Sequence, residues 1–255
     1  MVPYSAPLPG GPRRVRPHQN PERTADLTAA TKTNMRVIFA LTLVHFTGDF
    51  YSAFTTPLFP LFVEKLGLTL TQVGLIAGIA RFLAFIVQPS VGYLADHYPT
   101  RAFTMVGLLL TVVFIPLSGI APGFWTLLLV IAIGSFGSSM FHPAVTGMVP
   151  LYAGNKAGLS MSIFNTGGTL AFGVGPLFVT WYAARFGLSA LPATMALGLM
   201  VAVYLYLILP APPNEGLSQN GFLGAIKESL GAAWKTIALI WIVMVLRAVV
   251  GQSFM

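Results

Sequence analysis

The sequence predicts an all-α membrane protein, built as a six-helix transmembrane bundle, and three observations carry that expectation. Only 8% of its 255 residues are charged, against roughly 25% in an ordinary soluble domain. Hydrophobic residues make up 55%, and mean hydropathy is +0.78. Six apolar runs, each near the ~20 residues that a spanning helix requires, are separated by Pro, Gly or charged residues. The runs are continuously apolar, unlike the ~10-residue alternating strands of a membrane barrel. Helices and closed barrels are the two structures that satisfy every backbone polar group in lipid, so helix is the expected answer.

The first run covers approximately residues 36–58 and is expected to end at Pro57 and Pro60. The second, 71–94, stops at the polar stretch from Asp96 to Arg101, and the third, 102–121, at Pro122 and Gly123. The fourth, 125–148, closes between Pro150 and Lys156, and the fifth, 157–183, between Arg185 and Gly187. The sixth, 189–209, ends between Pro210 and Glu215. A connector is expected at 211–234, and residues 235–255 read as the start of a seventh helix that is cut short at Met255. Residues 1–34, rich in Pro and without apolar periodicity, read as a disordered basic cytoplasmic tail.

Charge placement gives the orientation. Arg13, Arg14, Arg16, Arg23, Lys32 and Arg36 lie at the N-terminal side of the first run, and Arg101, Lys156, Lys227 and Lys235 fall on the same side of the bundle. The other side holds Lys65 and Arg185. Basic loops favour the cytoplasm, so the N-terminus and the connector are expected inside, in a multi-pass protein of the cell membrane. A net charge of +7 can signal nucleic acid, but no aromatic-interleaved basic face accompanies it, so no nucleic-acid partner is expected. A basic juxtamembrane tail instead suits anionic lipid. A cleaved signal peptide fits poorly, because the polar lead-in is long and the first run contains Asp49. Cysteine is absent, which excludes disulfides and thiolate metal sites.

Residues 83–89 (Leu-Ala-Phe-Ile-Val-Gln-Pro) and 170–176 (Leu-Ala-Phe-Gly-Val-Gly-Pro) agree at five of seven positions. They belong to the second and fifth runs, which a 3+3 inverted repeat would place in equivalent positions. The alternative is coincidence between two apolar helices.

Ionisable groups inside spans are the sharpest chemical signal, since each costs ~2.5–3.5 kcal/mol at a helix centre. Asp49 lies ~20 Å along the first run and Arg81 ~15 Å along the second, both near mid-membrane. They can pair across two antiparallel helices, either as a proton-carrying carboxylate with a switchable counter-ion or anion site, or as a permanent structural pair. His45, one turn before Asp49, shares its face and can relay protons or hold the carboxylate. No third ligand lies near this pair in sequence, so no metal site is expected. No cofactor is expected either. In the fourth run Pro143 removes a helical hydrogen bond beside His142, a placement suited to lining a cavity. The Phe residues read mostly as packing or lipid-facing groups. No nucleophile–base pair or phosphate loop suggests an enzyme.

At Gly92-Tyr93-Leu94-Ala95-Asp96-His97-Tyr98-Pro99-Thr100-Arg101 the chain resembles the major facilitator superfamily, whose cytoplasmic signature has Gly, a carboxylate four positions on, and then basic residues. Gly92, Asp96 and Arg101 fit that signature; His97, Pro99 and Thr100 depart from it. Further stretches are similar to the fosmidomycin-resistance family of drug exporters: His45 to Asp49, Gln88 to Pro99, Gly137 to Pro143, Gly158 to Gly168, and Gly175-Pro176. The run Ser138-Ser139-Met140-Phe141-His142-Pro143 is the most specific of them. Gly175-Pro176 also resembles a motif associated with antiporters, although Val179 and Thr180 stand where glycines are usual. The arginine often found in the fourth helix of proton-coupled members is missing.

The resemblance implies the N-terminal half of a twelve-helix fold, with the substrate path between two halves. It implies proton-coupled export of small drugs or metabolites by alternating access. Asp49, Arg81, His45, His142 and Asn165 would bind protons or substrate, and Gly92, Asp96, Arg101, Gly175 and Pro176 would form gates. The partners expected are the lipid bilayer, protons, a small-molecule substrate, and a second half or a second copy. Two rivals remain: a facilitator or importer of a small organic anion, and a non-transporting half that needs a partner.

Overall fold

The computed structural model describes residues 32–95 and 100–211, together with Lys235, Leu239, Ile242 and Val243. The expected tail over 1–31, Asp96 and His97 of the signature, and nearly all of the expected connector and seventh helix over 212–255 lie outside them. Seven α-helices are found among the described residues: α1 (Met35–Ser52), α2 (Thr55–Leu66), α3 (Leu70–Ala95), α4 (Thr100–Leu117), α5 (Phe124–Ala153), α6 (Ala157–Phe186) and α7 (Met195–Ile208). Short 3-10 segments at Ser118–Ile120, Gly154–Lys156 and Leu188–Thr194 follow α4, α5 and α6, and no strand occurs among the described residues.

Five stretches are long and apolar enough to cross a membrane: Met35–Leu66, Leu70–Gly92, Thr100–Ile120, Phe124–Phe186 and Leu188–Ile208. The fourth is 63 residues long. It breaks at Gly154, whose φ of 52° is a left-handed conformation that glycine adopts without steric cost. Both of its halves, α5 and α6, pack against α1.

Two helix ends differ from expectation because prolines do not stop these helices. Pro60 lies inside α2 and Pro150 inside α5, while Pro57 falls in the first turn of α2, where the missing N–H would have had no helical acceptor. Proline is tolerated in membrane helices because neighbouring groups satisfy the backbone it frees. The break in the first stretch comes earlier, at Ala53–Phe54. Gly67, with φ 62°, closes α2 in the left-handed conformation of a helix C-cap.

α1 is the central helix. Val37, Ile38, Leu41, Val44, Gly48, Asp49 and Tyr51 are all buried, which covers most of its circumference. It packs against α6, α5, α4 and α7, whereas α3 packs chiefly against α5. The chain neighbours α4 and α5 pack closely on each other, but α1 and α3 find their main partners further along the chain. Phe50 on α1 and Phe54 at the break after it meet Phe178 on α6, with centroids 5.1 and 5.8 Å apart, and form the aromatic part of the core. Phe141 and Phe164 are also buried, while Phe82, Phe136 and Phe172 are exposed with Trp125, Leu177 and Leu207.

Hydrogen bonds tie the two ends of the bundle. At one end the Asn34 N–H donates to the Tyr152 carbonyl at 2.9 Å, and Tyr152 Oη donates to the Ala211 carbonyl at 3.3 Å. At the other, Lys65 Nζ donates to the Gly119 carbonyl at 2.8 Å.

Candidate functional site

Asp49 lies fourteen residues into α1, ~21 Å from its start, and only 2% of its side chain is exposed. Two imidazoles face it. His45 Nε2 is 3.1 Å from Oδ2, and His142 Nε2 is 3.0 Å from Oδ1. His142 is 25% exposed, so it connects the buried carboxylate to the surface.

Local sequence sets this register. The residue before Asp49 is Gly48, and the residue before His142 is Phe141. A Cβ on Gly48 would lie 2.2 Å from Phe141 Cζ, so the missing side chain is the socket into which the Phe141 ring fits. That contact holds α5 against α1 with His142 opposite Asp49. The His142 ring stacks on Phe141 at 4.3 Å.

From the other side, α6 completes the site. His45 Nδ1 is 3.0 Å from the Phe164 carbonyl, and its ring stacks on the Phe164 ring at 4.2 Å. Gly168, one turn on, lies directly beneath the pair. A Cβ there would come within 2.6 Å of His45 Nε2 and 2.7 Å of Asp49 Oδ2.

The hydrogen-bond chemistry is constrained. A carbonyl can only accept, so His45 Nδ1 carries hydrogen and donates to Phe164. His45 Nε2 then faces a carboxylate. In a neutral imidazole this nitrogen is a bare lone pair, which an ionised carboxylate repels. The contact is favourable when a cation lies between the two, and the smallest such cation is a proton. Asp49 Oδ1 is buried and accepts no hydrogen bond of good geometry, despite the proximity of His142.

The pairing of Asp49 with Arg81 is corrected by the fold. Arg81 is exposed on α3, and α1 and α3 are not principal packing neighbours. The position opposite Asp49 is taken by His142, brought in by α5. The structure thus supplies the third His or Asp ligand that sequence proximity lacked, and the ligand atoms of His45, Asp49 and His142 all lie within 4.8 Å of one another.

Asn165 is exposed on α6. With Ser162, Thr166 and Thr169 it lines an open groove of about 620 Å³. The Thr166 and Thr169 hydroxyls donate to carbonyls of their own helix, the Ser162 and Asn165 carbonyls respectively, so the Asn165 carboxamide and the Ser162 hydroxyl are the polar groups the groove offers. Gly92 meets Pro143 on α5 at an ordinary contact distance of 3.9 Å from an ideal Cβ. Gly175 presses on α1, where a Cβ would be 2.8 Å from the Phe50 carbonyl; Pro176 follows inside α6. Arg101, at the start of α4, donates to the Tyr206 carbonyl near the end of α7, with its guanidinium 4.7 Å over the Tyr206 ring. Sequence reasoning missed Gly48, Phe164 and Gly168, because glycine and phenylalanine are ordinary in membrane helices.

Residues 39–255 match the family model described as Major Facilitator Superfamily. The chain is 30% identical over 172 residues to the fosmidomycin resistance protein of Escherichia coli, covering 66% of this chain and 42% of that protein. It is 30% identical over 124 residues to the quinolone resistance protein NorA of Staphylococcus aureus, covering 47% of this chain and 32% of NorA. Crystal structures of the peptide transporter POT superpose with TM-scores of 0.63 and 0.61 at 21% and 22% identity, covering 90% and 87% of this chain and 50% and 49% of those chains. The chain therefore spans about half the length, or less, of the proteins it matches. It belongs to the major facilitator superfamily, a family of multi-pass membrane transporters rather than enzymes.

Proposed function

We propose that this chain forms one half of a secondary transporter that exports small drugs or metabolites in exchange for protons. The observation that carries the reading is the acceptor-facing geometry of His45. Its Nδ1 faces a carbonyl and its Nε2 faces a carboxylate, so the cluster with Asp49 and His142 is suited to hold a shared proton. Protonation of the cluster would alternate with substrate binding in the groove beside Asn165, and Arg81 would offer a cation to anionic substrates. The resistance proteins among the relatives support export and drug-like substrates.

Six membrane passes are the architecture that fits this reading. Phe124–Phe186 would form two of them, joined at Gly154–Lys156. The 3+3 repeat is supported by paired packing. The first span, α1, packs on the fifth, α6, and the fourth, α5, packs correspondingly on the second, α3. The repeated segments 83–89 and 170–176 lie on those equivalent helices. The excess of basic residues on that side supports a cytoplasmic N-terminal end. Alternating access would follow from rocking of this bundle against a second half or a second copy, with Gly92, Asp96, Arg101, Gly175 and Pro176 at the gates.

The test is drug-induced proton flux in proteoliposomes under an imposed pH gradient, with a panel of phosphonate and apolar drugs. Coupled flux supports the exchange reading. Drug movement that is insensitive to the gradient favours the facilitator of small organic anions.

A further inference from the structure

We propose that His45, Asp49 and His142 form a binding site for a divalent transition-metal ion of the Zn²⁺ and Co²⁺ class. This inference stands whether or not the same cluster carries a coupling proton.

Four observations carry it. The donor set is two imidazoles and one carboxylate, which suits zinc, cobalt, nickel and ferrous iron rather than the all-oxygen demands of magnesium or calcium. The ligand atoms are gathered: each histidine Nε2 lies 3.0–3.1 Å from a different oxygen of one carboxylate. Bonds of ~2.0–2.2 Å at a tetrahedral centre separate neighbouring ligand atoms by ~3.3 Å, so the carboxylate–imidazole spacings need little change. The widest spacing, within 4.8 Å, closes by rotation of the partly exposed His142 ring.

The outer shell is also in place. Metal-bound histidines usually donate their second ring N–H to a carbonyl or carboxylate, which fixes the tautomer and turns the other nitrogen's lone pair towards the ion. His45 does this through Nδ1 to the Phe164 carbonyl at 3.0 Å. Asp49 Oδ1 supplies the independent sign. It is a buried carboxylate oxygen aimed into the cluster, and it accepts no well-formed hydrogen bond. Three protein ligands leave a fourth position for water, and the exposed edge of His142 gives the ion a way in.

The absence of cysteine from the chain makes a direct spectroscopic test available. Purified full-length chain in detergent is titrated with CoCl₂ alone, and visible d–d absorption is recorded. One bound Co²⁺ per chain with the intense bands of a low-symmetry site is expected. Asp49→Asn and His142→Gln should each weaken binding by at least about tenfold, while a double change of His18 and His97 to Gln should leave it unaltered. His142→Cys guards against misreading a folding defect. A thiolate at that position should add a strong sulfur-to-cobalt charge-transfer band, which appears only if residue 142 ligates the ion. No Co²⁺ bands in the parent chain, or bands that persist unchanged in both His142 variants, would overturn the proposal. Proton flux measured without added metal is a separate readout, so loss of coupling and loss of the metal site are told apart.

Discussion

Asp49 on α1 and His142 on α5 meet at 3.0 Å through Oδ1 and Nε2, and this contact joins a fully buried carboxylate to a partly exposed imidazole. Its register depends on the Phe141 ring seated on Gly48, one residue before each partner. Packing and chemistry are thus set by the same two helices at the same level.

Gly168 tests the fit of α6 under the cluster. Gly168→Ala places a methyl group within 2.6–2.7 Å of His45 Nε2 and Asp49 Oδ2, so the cluster must move. Overpacking of this kind costs ~1–3 kcal/mol. Thermal unfolding in detergent should fall accordingly, with transport falling further. Gly173→Ala, which meets nothing within 4 Å, should leave both unchanged.

The groove on α6 can be mapped by single cysteines, because the chain has none of its own. Asn165→Cys should react quickly with a membrane-impermeant maleimide, since Asn165 is exposed and lines the groove. Ala171→Cys, at a position with 0% exposure, should react at least about tenfold more slowly, as buried thiols do. Equal rates would place Asn165 against lipid or protein.

Arg81→Ala should not lower stability in detergent, because Arg81 is exposed and does not pair with Asp49. Uptake or export assays should then show a selective loss for anionic substrates. Marked destabilisation would restore a structural pairing for this arginine.

Tyr51 donates its buried hydroxyl to the Thr194 carbonyl at 2.5 Å, linking α1 to the turn before α7. Tyr51→Phe should cost ~0.5–1.5 kcal/mol, and more where the carbonyl is left without a partner. Chemical unfolding of the purified variant measures this.

Much of this was legible in the sequence. The helical stretches follow from apolar length, and His45 and Asp49 share a face by their spacing of four. His142 was recognisable as a cavity candidate, but its partner was not. That Arg81 can pair with Asp49 follows from two spans that adjoin in the chain, whereas the bundle packs α1 on α6 and α3 on α5. Periodicity reports which residues share a helix face, not which face meets which. Proline misled at the helix ends for a related reason: Pro60 and Pro150 sit inside helices whose neighbours satisfy the backbone they free, and Pro57 sits in a first turn that accepts proline in any solvent. Gly48 and Gly168 became meaningful only when the residues occupying their missing side chains were known.

The most direct test of the coupling account is drug export by the parent chain and by Asp49→Asn, at equal expression and under the same pH gradient. The account predicts that the variant folds, reaches the membrane and loses gradient-driven export. Unchanged export by Asp49→Asn would contradict it, and would leave the His45–Asp49–His142 cluster without a part in coupling.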